Sequence, residues 1–296
     1  MDNEMRVFIT GGTGFIGRNL QEKLADRYQI FAPPSSQLNL LDEIAVGEFI
    51  KKNHFDVVLH TATWNATRNS PKDLTDVLRN NLKMFFNLAR CRNDYGKMVY
   101  YGSGAEYDRR FWIPMMREDY FDTHVPVDDY GYSKYVMRQF TETAENIYEL
   151  CLFGVFGRYE DWEIRFISNA CCKAVWDLPI MIKQNVFLDY LYIDDLVKVT
   201  EWFMNHTCKE RVYNTCTGEP LDLLTLAKMV LAASHKHLDI RIEKEGLGEE
   251  YSGDNAKLVK ELGGHSFKNL AACIEELFDW YRNKADIDKE KLLLDK

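Results

Sequence analysis

A run of β-branched and aromatic residues, Arg6 to Thr10, leads straight into Gly11-Gly12-Thr13-Gly14-Phe15-Ile16-Gly17, and a stretch with the polarity of a surface helix, Asn19 to Arg27, follows. Glycines at this spacing restrict what the chain can become. Gly11 allows a tight turn, Gly14 lets the backbone approach a phosphate closely, and Gly17 lets a helix pack tightly on a strand. The helix N-terminus behind them favours an anion. An ordinary glycine turn is the plain alternative, and the flanking strand and helix count against it. The segment therefore reads as a β-turn-α opening that holds a dinucleotide.

The same alternation continues downstream. Strand signals lie at Gln29 to Ala32, Val57 to Thr61, Met98 to Gly102 and Glu149 to Phe153, separated by helical stretches near Asp42 to Lys52, Leu74 to Cys91 and Tyr130 to Asn146. Alternating strands and helices predict a doubly wound α/β (Rossmann) fold, a parallel sheet covered on both faces. After Gly157 the rhythm breaks. Glu163 to Trp176, Asp194 to Asn205, Leu223 to Ser234, Asn255 to Leu262 and Phe267 to Asn283 read as helices, and Phe187 to Tyr192 as extended. The expected organisation is a dinucleotide-binding domain over residues 1–157, rejoined by 187–217, and a smaller α/β substrate-binding lobe over 158–296.

With 46% apolar residues in a chain of 296, a large core is possible. A formal charge of -9 argues against a nucleic-acid partner, because phosphate backbones call for clustered Lys and Arg. No long uncharged apolar run suggests a membrane partner, and the acidic start, running at once into a strand, leaves no room for a signal peptide; a cytoplasmic location is expected. Seven cysteines without paired spacing read as reduced, buried thiols, and no metal is expected. His235 and His237, on either side of Lys236, read as a solvated loop.

Tyr130 and Lys134 stand four residues apart, so on a helix a phenol and an ammonium share one face. A free phenol titrates near pH 10, and making it useful near neutrality takes about 4 kcal/mol. One ammonium about 4 Å away, at an effective dielectric of about 20, supplies roughly that much. Ser103 can orient a substrate oxygen, and Tyr132, without a lysine four residues on, reads as packing. Seen alone, Tyr130 and Lys134 would be surface decoration; together with Ser103 and the glycine turn they make a site for proton transfer beside a dinucleotide.

These elements, in this order, resemble the extended short-chain dehydrogenase/reductase family, whose nucleotide-sugar enzymes carry a Gly-Gly-x-Gly-x-x-Gly turn, a serine or threonine after a strand, and Tyr-x-x-x-Lys. Val57 to Ala62 is similar to that family's fourth strand, Asn81 to Leu88 to its following helix, and Tyr190 to Asp195 to its downstream strand-helix junction. Asn214 to Gly218 and Tyr251 to Leu258 are similar to its C-terminal patterns. The resemblance implies Tyr130 as proton donor or acceptor, Lys134 as its electrostatic partner and ribose ligand, and Ser103 as the oxyanion partner. It places Gly11, Gly14, Phe15, Ile16 and Gly17 on the pyrophosphate, Leu41 and Asp42 near adenine, Ala62 and Thr63 along the cofactor ribose, and Phe153 and Val155 at the nicotinamide. One position departs from the pattern: the family's usual arginine after the first residue of the fifth strand is Cys151 here.

The loop after the second strand, Phe31 to Ser36, has no acid to meet a free ribose 2'-hydroxyl, whereas Ser35 and Ser36 could bond a 2'-phosphate and Arg18 could add charge. NADP(H) is therefore the expected cofactor, with NAD(H) possible. Family dehydratases carry a glutamate two residues before the tyrosine at position 107; this chain has Ala105 there, and Glu106 is one position off, which along a strand turns the side chain to the other face. The subgroup similar to GDP-fucose synthase shares the look of Gln37 to Asp42 but places a cysteine at the position of Ala105 and a histidine near Arg165, and both are missing. What remains suits reduction of the C4 keto group of a nucleotide-diphosphate sugar. A 4-epimerase is the second reading, and a non-catalytic NADP-binding sensor or scaffold, which would usually lack the tyrosine or lysine, the third. Trp64, Asn65, Arg68, Arg158, Trp162, Arg165 and Asn169 are candidate substrate contacts. Apolar stripes at Leu78, Leu82, Phe85 and Phe86 and at Val136, Met137 and Phe140 suit a homodimer.

Overall fold

The structure is a computed structural model that describes residues 4–64, 67, 72–264, 266–284 and 286–293. The chain opens as strand β1 (Arg6–Thr10), helix α1 (Phe15–Leu24), strand β2 (Gln29–Phe31), helix α2 (Glu43–Asn53) and strand β3 (Val57–His60). Helix α3 (Val77–Ala89), strand β4 (Lys97–Ser103), helix α4 (Asp129–Thr143) and strand β5 (Ile147–Leu152) follow. Val57–His60 is thus the third strand of this chain, not the fourth. The six-stranded sheet is completed by β10 (Val212–Thr215), and its order is β10-β5-β4-β3-β1-β2 with every pairing parallel.

Alternation along each strand explains why both faces are covered. Val7, Ile9, Val57, Leu59, Val99 and Tyr101 belong to one buried cluster, with Leu20 and Leu24 of α1. Phe8, Val58, Met98, Tyr100 and Ile147 belong to another, with Val46 and Ile50 of α2, Phe85 and Leu88 of α3 and Met137 of α4. The chain reverses its direction of winding between β1 and β3, so the carboxyl ends of those strands leave a crevice there, the usual ligand position in open α/β sheets.

Beyond β5 lie short strand β6 (Gly154–Phe156), helix α5 (Phe166–Val175), strands β7 (Ile180–Asn185), β8 (Phe187–Leu188) and β9 (Tyr190–Tyr192), and helix α6 (Ile193–Asn205). After β10 come β11 (Leu221–Asp222), α7 (Leu223–Ser234), β12 (Ile240–Leu247), α8 (Ala256–Glu261), α9 (Leu270–Arg282) and α10 (Lys289–Leu293). Of the stretch 187–217, only Val212–Thr215 joins the main sheet; β8 pairs with β11 and β9 with β6. β7 and β12 form a parallel pair that the sequence reading left unassigned. Helices α5, α7 and α9 pack on one another, and their apolar residues, Ile167, Leu226, Val230, Ile274 and Phe278, continue the cluster that begins at Val7. No described helix is long and apolar enough to cross a membrane.

Candidate active site

Gly11 has φ +66, and a Cβ on it would lie 2.8 Å from the backbone of Ala62. Only glycine takes this conformation here without strain. A Cβ on Gly17 would collide with the Gly11 carbonyl, so this glycine lets α1 press against the turn. Gly14 differs: apart from its chain neighbours, a Cβ on it would meet among the described residues just Gly11 O, at 3.2 Å, which leaves its other side open to a ligand. Gly14 is the N-cap of α1, donates its N–H to Gly11 O (2.9 Å), and is followed by Phe15, Ile16 and Gly17 with no side-chain cap and no acid in the first turn. An uncapped helix start behind an open glycine cradle fits a pyrophosphate.

Ala62 donates to Thr10 Oγ1 (3.2 Å), Thr63 Oγ1 meets Asn81 Oδ1 at 3.3 Å, and Trp64 N donates to the same Asn81 oxygen at 2.7 Å. Asn81, buried on α3, thus anchors the chain as it leaves β3; its position one turn inside an amphipathic helix gave no sign of that work. Ser35 and Ser36 are exposed in the turn after β2, whose Ala32 adjoins Gly12. Arg18 pairs with Glu22 at 3.2 Å and lies 3.7 Å over the Tyr159 ring. Leu41 precedes Asp42, whose carboxylate caps α2 by accepting from Ile44 N and Ala45 N, each at 3.1 Å.

Ser103 ends β4, where its Oγ accepts from Ala105 N at 3.2 Å and starts a 3₁₀ turn over Gly104–Tyr107. Helix α4 is capped by Asp128, which accepts from Gly131 N at 2.9 Å, so Tyr130 falls in its first turn and Lys134 in its second. A Cβ on Gly131 would lie 2.7 Å from Ala105 O. This glycine therefore sets how closely the helix bearing Tyr130 can approach the turn bearing Ser103. Lys134 is 4% exposed; its Nζ donates to Tyr101 O at 2.9 Å and lies 4.6 Å from the Tyr100 ring centre and 5.6 Å from that of Tyr130. Tyr132 is 39% exposed, on the outer face.

Two groups that the sequence reading did not select also meet here. Tyr251 donates its hydroxyl to Leu152 O at 3.5 Å and is held between Trp112 (4.2 Å, stacked) and Phe153 (5.0 Å); burial pushes its phenol well up, and the nearby Ser103 hydroxyl opposes that. His60 closes β3 and shares a hydrogen bond with Thr10 Oγ1 (2.8 Å); burial, then the nearby Lys134 charge, lowers its pKa to about 3, so the ring is neutral. Phe153 is 9% exposed between β5 and β6, and Val155 lies within β6.

The strand argument for Glu106 does not apply, because residues 104–107 form a 3₁₀ turn; the carboxylate is 0% exposed and pairs with Arg138 Nη1 at 2.7 Å. Arg138, from α4, brings a guanidinium next to Cys151, the position whose expected arginine is missing. Glu106, Glu149 and Cys151 have their ligating atoms within 4.8 Å of one another, with Arg138 among them.

The candidate substrate residues after Gly157 lie around the start of α5 and the face of α9. Arg158 lines a surface cleft of about 410 Å³ with Glu276, Asp279, Trp280, Asn283 and Lys284. Its carbonyl accepts from Asn19 Nδ2 of α1 at 2.8 Å. Arg165 is the N-cap residue of α5, and Asn169 Nδ2 donates to Trp162 O (3.0 Å) and Glu163 O (3.3 Å). Trp64 Nε1 donates to Asp73 O at 2.8 Å. Asn65 and Arg68 lie outside the described residues.

Residues 7–216 match the NAD dependent epimerase/dehydratase family, and the chain belongs to it. Its members include enzymes that act on nucleotide sugars, and the chain is similar to the UDP-glucose 4-epimerase of Mus musculus, 22% identical over 337 residues covering 94% of this chain and 96% of the relative. Among solved structures it is similar to a GDP-mannoheptose C4 reductase from Campylobacter jejuni with NADP bound, with TM-score 0.81, 19% identity and coverage of 96% of this chain and 100% of that one. A GDP-D-glycero-L-gluco-heptose synthase from the same organism, in the presence of NADPH, gives TM-score 0.83 at 18% identity, again with 96% and 100% covered. These likenesses establish the Rossmann-like α/β fold.

Proposed function

We propose that this chain reduces the C4 keto group of a nucleotide-diphosphate sugar with NADPH. The observation that carries the reading is the burial of Glu106 on Arg138. Dehydration needs a carboxyl facing the substrate beside Ser103, and the one carboxyl in that turn is committed to the interior. Ser103, Tyr130 and Lys134 remain, the minimum set for delivering a proton to a carbonyl oxygen that receives a hydride. The cofactor supplies the hydride. Ser103 orients the carbonyl oxygen, Tyr130 gives it the proton, and the Lys134 ammonium favours the phenolate left behind.

The open side of Gly14 and the uncapped start of α1 would hold the pyrophosphate, with Ala62 and Thr63 next to the ribose. The acid-free turn at Ser35 and Ser36 supports NADPH, and NADP and NADPH accompany two of the similar solved proteins. A homodimer through α3 and α4 suits the partly exposed Leu78, Leu82, Phe86, Val136 and Phe140. One observation favours the second reading, a 4-epimerase with bound NAD: Arg18, the cation offered for a 2'-phosphate, is occupied by Glu22 and Tyr159.

The test offers GDP-, dTDP-, CDP- and UDP-linked 4-keto sugars with NADPH and follows its absorbance. Consumption with one of them is expected. Inversion of an unoxidised hexose at C4 without net cofactor use would select the epimerase.

A further inference from the structure

Glu106 and Glu149 are both 0% exposed, and Arg138, 1% exposed, pairs with Glu106 directly. Glu106 Oε1 takes the guanidinium at 2.7 Å, while Arg138 NH1 also donates to Tyr107 Oη (2.9 Å) and NH2 to Glu118 O (2.8 Å). That leaves Glu106 Oε2 and both oxygens of Glu149 fully buried with no other hydrogen-bond partner. Acceptor oxygens left bare in a low-dielectric interior are costly, and two carboxylates this close repel each other. A single proton eases both problems: it gives the pair a donor that joins two of the three bare oxygens, and it cancels one charge. The groups facing the pair are Arg138 and Lys134 of α4, Tyr100 of β4, Tyr107 of the turn and Cys151 of β5.

We propose that Glu106 and Glu149 share one proton, carried on Glu149, and that this pair with Arg138 is a positioning unit for the active site. It joins the turn after Ser103 to the helix that carries Tyr130 and Lys134. It also keeps a second carboxylate from forming beneath Lys134, whose ammonium then acts undiminished on Tyr130. Burial, and after it the neighbouring Glu106, push the Glu149 carboxyl well up, while Arg138 and Lys134 pull the other way. The strand makes room for it: a Cβ on Gly102, the residue before Ser103, would collide with Glu149 Oε1. The proton stands independently of any reaction; the effect on Lys134 rests on the proposed reductase reading.

Infrared difference spectroscopy of the full chain against Glu149→Gln at neutral pH tests the proton. A protonated-carboxyl C=O band in the wild type that vanishes in the variant is expected, and no such band in the wild type overturns the proposal. Glu149→Gln should also unfold at the wild-type temperature, since a carboxamide donates to Glu106 as the acid does; a large drop counts against it. Glu106→Gln removes the carboxylate on Arg138, so Glu149 ionises in its place. Turnover with NADPH and a keto sugar should then fall about tenfold, with KM unchanged and the pH profile displaced. A wild-type profile in a folded Glu106→Gln protein would overturn the effect on Lys134. Full turnover by Tyr130→Phe would sink the reductase reading and leave the infrared result standing.

Discussion

At the carboxyl edge of the main sheet, backbone geometry does most of the holding; past Gly157, side chains do it. Gly11, Gly17 and Gly131 are each required because a Cβ would strike main chain, and each brings one element of the site against another. In the second region polar side chains serve structural ends: Asn169 ties a loop, and buried Glu160 accepts from Ser168 Oγ at 2.5 Å. The difference teaches where function can be read from residue type alone. A glycine that must be glycine fixes its surroundings, whereas an arginine or asparagine can serve a ligand or a loop equally well.

One buried titratable group from each region, His60 and Glu160, gives stability an opposite dependence on pH. His60, lowered to about 3 from 6.5, binds more protons when unfolded, so its contribution is lost as pH falls through that interval. Glu160, raised from 4.5 to about 8 chiefly by burial, binds more protons when folded, so stability falls as pH rises through that interval.

The comparison can be broken most sharply at Tyr130. Tyr130→Phe should lower turnover by at least about 10²-fold while cofactor affinity stays nearly intact, as removal of a general acid should; near-normal turnover in a steady-state assay would remove Tyr130 from the chemistry. Gly131→Val should cost about tenfold in turnover by pushing the helix off Ala105 O, with a smaller effect on cofactor affinity. Thermal shift with NADPH, run beside the assay, separates the two. Glu160→Gln should stabilise the protein by about 5 kcal/mol at pH 9 and by little at pH 4. Denaturant melts across that range check it, and an equal effect at both ends would mean that Glu160 is ionised when folded. Smallest of all, Arg158→Ala should change KM for the nucleotide sugar by less than about twofold. A tenfold rise would return Arg158 to the substrate site and blur the contrast drawn above.

Much of the fold was legible because its signals are local. The glycine turn and the apolar strand cores each announce an element within a few residues. The β7 and β12 pair was not legible: Ile240–Leu247 is exposed along almost its whole length and carries Arg241, Glu243, Lys244 and Glu245, so it lacks the apolar face that marks a strand. In the site, Ser103, Tyr130 and Lys134 could be selected by spacing, and the structure sets them on adjoining elements. Tyr251 could not, since it arrives from the far end of the chain with no spacing relation to the others. Arg138 escaped for a related reason. An arginine one turn beyond Lys134 reads as a solvated side chain until the fold buries it against Glu106.

The most direct test of a phenol and ammonium serving hydride reduction follows the hydride itself. With NADPH deuterated at C4 on the transferred face and a 4-keto nucleotide sugar, one deuterium should appear at C4 of the product sugar for each NADPH oxidised, and replacing Tyr130 with Phe should abolish the transfer. A product formed with no deuterium and no loss of NADPH would contradict the account.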